Sequence, residues 1–180
     1  MGSKWFINFV QLPIDHTDLD LAQIPYPKTE YFIHFVYRLA EVGTVLGSAV
    51  AGPLYNKYGK WKLKRPCSVF GVVGLVTGAV LSPLAEFAWI TMNGMSVEDV
   101  RRRCYLLRYN KKQLFTDRTV TVFGGMGYWM NSYTGLVQGV NIALAFTIFY
   151  NTVLWNYAPH SIRDYREEIP EELVIPKKRF

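Results

Sequence analysis

From Thr119 to Asn156 the chain runs for 38 residues without a single Asp, Glu, Lys or Arg. Drawn as one helix at 1.5 Å per residue, this stretch would be roughly 57 Å long, nearly twice the hydrocarbon thickness of a bilayer. It must therefore fold back or tilt severely. The polar, turn-prone Asn131-Ser132-Tyr133-Thr134-Gly135 lies near its middle and divides it into a short span over 119–131 and a longer one over 135–156. The shorter of the two crosses hydrocarbon comfortably only if it borrows residues from the segment before it.

Two further apolar segments precede this one. Residues 66–92 are free of charge from Pro66 through Ala85, with Pro83 placed to kink the helix and Glu86 read as interfacial. A helix over 30–55, ended by Pro53, Asn56 and Gly59, contains a span at about 36–55. In its first half His34, Arg38 and Glu41 recur at i, i+4 and i+7, which stacks them on one face. Two readings of that face stay open: a helix start solvated at headgroup level, or a buried ion pair facing a partner.

Small residues recur inside every span. Gly43 and Gly47 form one small-xxx-small pair, and Ser48 and Gly52 another. Gly71, Gly74 and Gly78 form a stripe on the second span, while Gly124, Gly125, Gly127, Gly135 and Gly139 continue the pattern. In lipid no hydrophobic force draws helices together, so close van der Waals contact across flat faces must hold them. The expectation is an all-α integral membrane protein with four short glycine-rich transmembrane helices, in which these residues pack helix on helix.

Composition enters through its distribution. Half of the residues are hydrophobic, yet mean hydropathy is only +0.06 because polar ends and basic loops dilute the apolar runs. The net charge of +6 is concentrated between the spans. Lys57, Lys60, Lys62, Lys64 and Arg65 lie between the first two, and Arg101, Arg102, Arg103, Arg108, Lys111, Lys112 and Arg118 between the next two. Bases flanking apolar segments point to anionic lipid headgroups, cardiolipin among them, rather than to nucleic acid. Over 96–118, Ser96 and Asp99 approximate a capping box, and Val100, Cys104, Leu107 and Leu114 recur at helical spacing among the bases. This predicts an amphipathic basic helix, lying on the membrane surface or packed on a neighbouring subunit. Since the two basic segments flank the second span, the positive-inside rule does not set an orientation.

Residues 1–29 contain Pro13, Pro25 and Pro27 among acids and aromatics, and read as a peripheral strap. They fit neither a secretory signal nor an Arg-rich transit peptide, so targeting is expected to be internal. Residues 157–180, with Pro159, Pro170 and Pro176, read as an extended polar tail that contacts a neighbouring protein.

Chemistry-bearing motifs are not evident. There is no paired-carboxylate, nucleophile-and-base or phosphate-loop spacing, and Gly-Gly-Met-Gly at 124–127 is followed by aromatics rather than by Lys-Ser or Lys-Thr. His16, His34 and His160 lack the spacing that holds metal or haem, and Cys67 and Cys104 read as unpaired thiols. No catalytic residue, metal or cofactor is expected, apart from bound phospholipid. Gln138, Asn141 and Thr147 are read as interhelical hydrogen-bonding groups, with a polar transport path as the alternative.

Four short glycine-rich spans, basic connections and the local sequences Gly43-Thr-Val-Leu-Gly47, Arg65-Pro66 and Phe123-Gly-Gly with Trp129 together resemble the mitochondrial inner-membrane translocase channel superfamily, in particular its complex I accessory-subunit branch. The segment from Arg103 to Asn110, leading to Asp117-Arg118, is also similar to a family of small eukaryotic membrane proteins. The resemblance implies a multi-pass protein of the mitochondrial inner membrane, with other subunits of a multi-subunit complex as partners. Its implied role is that of a non-catalytic accessory subunit of a respiratory complex, most directly NADH:ubiquinone oxidoreductase. A translocase or channel subunit, or an accessory subunit of the ATP synthase or a cytochrome complex, is the alternative.

Overall fold

The computed structural model describes residues 24, 26–59 and 63–157, and every regular element among them is helical. Helix α1 (Pro27–Val45) begins with proline, whose missing N–H is not needed in a first turn. It continues without a break through a π-helical turn, Leu46–Ala51, into α2 (Gly52–Tyr58). Of the three residues expected to end this helix, Pro53 and Asn56 lie inside α2, Pro53 just after the π turn, and Gly59 is where the helix stops.

Helix α3 (Pro66–Met92) follows Arg65, whose backbone is left-handed at φ 57°. It runs antiparallel to α1 and α2. Pro83 leaves the carbonyl of Ala79 without its backbone donor, and the buried Ser82 hydroxyl donates to that same oxygen at 2.7 Å, so the helix survives the proline. The chain turns at Gly94, at φ 56°, into α4 (Val97–Tyr109), where the capping box between Ser96 and Asp99 is complete.

Helix α5 (Lys111–Thr152) is two helices. Asn131 (φ −145°, ψ 35°) and Ser132 (φ 49°, ψ −142°) are non-helical and fold it into a hairpin of two arms, 111–130 and 133–152. Each arm has 20 residues and is therefore roughly 30 Å long, which matches a hydrocarbon core. The boundary expected at residue 118/119 thus moves to Asn110, where the Asn110 side chain accepts the Gln113 amide and starts a new helix. The first arm thus includes Lys111–Arg118 from the basic segment.

Burial departs from that of a water-soluble bundle. Beside the apolar Val100, Leu114, Val120, Val137, Val140 and Ala143 the interior holds Thr44, Ser48, Ser68, Ser82, Asp117, Thr134 and Thr147, whereas Val42, Leu46, Val50 and Leu54 form an exposed stripe on α1 and α2. Val80, Leu84 and Phe87 on α3 face outward, as do Trp129 (89% exposed) and Met130 at the hairpin tip and Ile148 on the second arm. Two helices, Pro66–Met92 and Lys111–Thr152, are long and apolar enough to cross a membrane.

Candidate functional site

The glycines set how closely the helices approach. A Cβ built at Gly43 would collide with the Gly74 carbonyl, and one at Gly74 with the Gly43 carbonyl. Further along the same seam Gly47 meets the Phe70 carbonyl, Gly52 meets the backbone of Cys67, and Gly78 meets the Leu39 carbonyl. Gly71 faces Val137 and the side chain of Ser48, which ties the hairpin to the first pair. Within the hairpin Gly127 and Gly135 touch backbone to backbone, Gly139 abuts Phe123, and Gly124 faces Val140. Gly125 meets nothing within 4 Å, so it lies off the packing face to which its neighbours belong.

The seam also explains the π turn. Successive contact positions on α3 are about one turn apart, while on the partner side Leu39, Gly43 and Gly47 are four apart and Gly52 follows at five. Five residues overshoot one α-helical turn, and the wider π turn absorbs the extra residue so that Gly52 returns to the seam.

Polar groups bridge the two hairpins. Asn141 Nδ2 donates to Ser48 Oγ at 2.8 Å, and Ser48 donates to the Thr44 carbonyl at 2.7 Å. Thr147 donates to Leu144 of its own helix at 3.1 Å, and Gln138 points outward. These three therefore do not converge on a path through the bundle.

The bases divide into two groups at opposite ends of the bundle. At one end Lys57 lies over the Tyr58 ring at 5.1 Å, Lys64 is exposed, and Arg65 donates to Thr134 Oγ1 at 3.2 Å, pinning the connection to the hairpin. Lys60 and Lys62 lie outside the described residues. At the other end Arg101 pairs with Glu98 at 3.0 Å, and Arg102, Arg103 and Lys111 are exposed.

Arg108 is not a surface base. Its guanidinium makes two parallel bonds of 2.6 Å to Glu30, and both side chains are buried. The reason is that the apolar face of α4 does not lie on a membrane surface: Val100, Cys104 and Tyr105 pack on Ile24 and Tyr31. Cys104 donates to the Pro27 carbonyl at 3.2 Å. Burial, assisted by the nearby Glu30 carboxylate, pushes its thiol up to about 12. At the open start of the same helix, hydrogen bonds from the Ser96 hydroxyl and backbone hold the Asp99 carboxyl below its ordinary range.

Toward the middle of the bundle lies a second charged group, and it is the candidate site. Arg38 donates to Glu41 Oε2 at 2.9 Å and stands 3.7 Å from Asp117 Oδ1. Glu41 is 5% exposed and Asp117 1%, but the Arg38 side chain is 41% exposed, so the face combines the two readings: the acids are buried and the guanidinium that pairs with them reaches the surface. Two carboxylates share this guanidinium. Beside them Asn151 Nδ2 donates to Thr116 Oγ1 at 3.2 Å, and Lys112 donates to the Asn151 carbonyl at 3.4 Å while lying over the Trp155 ring. Three buried acceptors, Glu41 Oε1, Asp117 Oδ1 and Asn151 Oδ1, receive no hydrogen bond among the described residues.

A groove of about 830 Å³ opens over this group, with Arg38, Glu41, Lys112 and Asn151 on its polar wall and Val45, Leu46, Leu144 and Ile148 on its apolar one. Asn151 was not singled out by sequence, and Asp117 only as the end of a segment similar to a family of small membrane proteins. Asp117 sits in the run of bases that read as a surface helix, and Asn151 had no partner in sequence to give it meaning. Among the described residues no three His, Cys, Asp or Glu side chains converge as metal ligands. A family model described as a protein of unknown function, DUF1757, matches residues 5–150, and no curated protein matches the chain.

Proposed function

The chain belongs to the DUF1757 family, and on that premise we propose that it is a multi-pass membrane protein acting as a non-catalytic accessory subunit of a larger membrane complex. The observation that carries this reading is the distribution of burial: glycine, serine, threonine and charged groups share the interior with a few apolar side chains such as Val120, Val137 and Val140, while large valine, leucine, phenylalanine and tryptophan side chains cover the outside. In water that arrangement would expose apolar faces on both hairpins; in hydrocarbon those faces are satisfied. On this reading there are four crossings, namely α1 with α2, α3, and the two arms of α5, with the start of α1 and the end of α5 on the same side.

The assembly we favour is a respiratory complex of the mitochondrial inner membrane, complex I first. The support is the resemblance of the glycine-rich spans and their flanking sequences to that accessory-subunit branch. Outward apolar faces would pack against neighbouring subunits, and the exposed bases Lys57, Lys64, Arg102, Arg103 and Lys111 would hold anionic phospholipid such as cardiolipin.

Membranes solubilised in mild detergent and separated under native conditions test this reading. The protein is expected to migrate with a large respiratory assembly. Migration as a free small species overturns the subunit role, and recovery in the supernatant after an alkaline wash overturns the membrane reading itself.

A further inference from the structure

The groove between α1 and the two ends of α5 changes character along its length. At its mouth Lys112 lies 5.2 Å from the centre of the Trp155 ring and donates to the Asn151 carbonyl at 3.4 Å. A lysine beside a tryptophan at a helix end is the pairing expected where a span leaves hydrocarbon for the headgroup layer. Side chains of α1 lean toward its start, so Arg38 reaches from below toward the same mouth. Beneath it the walls are Val42, Val45 and Leu46 on one side and Leu144 and Ile148 on the other. Leu46 stands eight positions past Arg38 on α1, and Leu144 eight before Thr152 on α5, so the apolar part runs for roughly 12 Å.

Of the charged groups beside this groove, Arg38 and Lys112 reach open space, whereas Glu41 and Asp117 are buried. Glu41 takes one N–H of the guanidinium at 2.9 Å and Asp117 stands at 3.7 Å, beyond hydrogen-bond length, which leaves donors of the guanidinium for an occupant. Lys112 spends one of its donors on a long bond to Asn151 and keeps the others. The charge within reach is therefore positive at the mouth and absent below it. An occupant that fits both parts carries an anionic head with several acceptor oxygens, joined to a hydrocarbon chain. We propose that the groove holds an anionic glycerophospholipid, its phosphate on Lys112 and Arg38 and one acyl chain along Val45, Leu46 and Leu144. Phosphate, glycerol and chain then follow one another in the order in which the walls change from cation to hydrocarbon. A choline lipid would bring its own cation to Lys112, and a free phosphate would leave the apolar wall bare. The exposed bases Lys57, Lys64, Arg102, Arg103 and Lys111 meet headgroups alone, whereas this site also takes a chain, and the inference rests on the membrane reading.

The test uses the full chain purified in mild detergent, stripped of lipid, and titrated with phosphatidylglycerol, phosphatidylcholine of the same chains, and glycerol phosphate, while bound molecules are counted by native mass spectrometry. Phosphatidylglycerol is expected to bind about tenfold more tightly than phosphatidylcholine, the scale of one charge-assisted hydrogen bond, and glycerol phosphate is expected not to be retained. Lys112→Gln should remove that preference and Lys112→Arg should keep it, because the second retains the charge. Leu144→Trp, which fills the apolar end, should weaken phosphatidylglycerol by about tenfold as well; a headgroup resting on surface bases is blind to that change. Arg38 stays in place because it also holds the buried acids. Thermal unfolding of each variant in detergent identifies any general loss of structure, and if Leu144→Trp is unfolded, Ile148→Trp takes its place. Equal binding of the two lipids, retention of glycerol phosphate, a preference that survives Lys112→Gln, or binding that a folded tryptophan variant leaves untouched each overturns the proposal. A protein that stays in the membrane pellet after an alkaline wash while showing any of these results loses only the groove lipid, whereas one released by alkali loses the membrane reading too.

Discussion

Glu30 and Arg108 lie 78 positions apart and meet in a bidentate pair, both bonds 2.6 Å long, that fastens the start of α1 to the last turn of α4. Both side chains are almost wholly buried, so neither charge can recover water if its partner is removed. Arg108→Met or Glu30→Met alone should cost about 3–5 kcal/mol. The double replacement Glu30→Met with Arg108→Met should recover most of that loss, because no lone charge remains inside. Thermal unfolding of the four proteins in one detergent measures the cycle; equal losses for single and double variants would show that packing rather than charge is at stake.

Gly43 and Gly74 touch through their backbones, so any side chain at either position pushes α1 away from α3. Gly43→Leu should destabilise by more than the ~1–3 kcal/mol typical of overpacking, because the obstruction is backbone and has no rotamer to give. Gly125→Ala, with open space around it, should be neutral or gain up to ~1 kcal/mol from helix propensity. Resistance to proteolysis in detergent reads both effects on one gel.

Cys104 and Cys67 should differ widely toward maleimide. Burial holds the Cys104 thiol up near 12, so at pH 7–9 it is protonated and not nucleophilic, and it is fully covered. Cys67 is exposed at the start of α3. Single-cysteine variants are expected to label fast at Cys67 and slowly at Cys104, with the Cys104 rate rising only when the protein unfolds. Labelling of Cys104 at the Cys67 rate in folded protein would contradict the packing of α4 on α1.

Asn141→Leu removes the hydrogen bond to Ser48 between the hairpins, while Gln138→Leu adds apolar surface to an outward face. The first should cost about 0.6–1.7 kcal/mol, the range for such bonds between membrane helices, and the second should be silent. Stability in detergent separates the two. Loss of ion conductance with the second variant would instead reveal a transport path.

The glycine seams were legible in the sequence because backbone contact between helices demands a small residue once per turn, and Gly43, Gly47, Gly74 and Gly78 keep that spacing. The fold-back near Asn131 was legible for a similar reason, since 38 uncharged residues exceed any bilayer. What escaped was set by tertiary contact. The helix break at Asn110 is hidden because bases continue on both sides of it, and for that reason Asp117 passed as part of a surface helix. Arg108 looks like its neighbours until α4 turns its apolar face inward and takes that one arginine with it. Lys112 and Arg118 followed the same run of bases, yet both are partly covered by the hairpin they open.

The π turn at Leu46–Ala51 bears on how length changes in this helix are tolerated. It stores one residue more than the seam requires, so the helix carries its own slack. Excising Val50 should straighten that turn to ordinary pitch and leave Gly47 and Gly52 still facing α3. Excising a residue between Ala40 and Val45 has no such reserve to draw on and would swing Gly43 by about 100° out of alignment. The same deletion, moved by two turns, thus changes from a trimming to a dislocation.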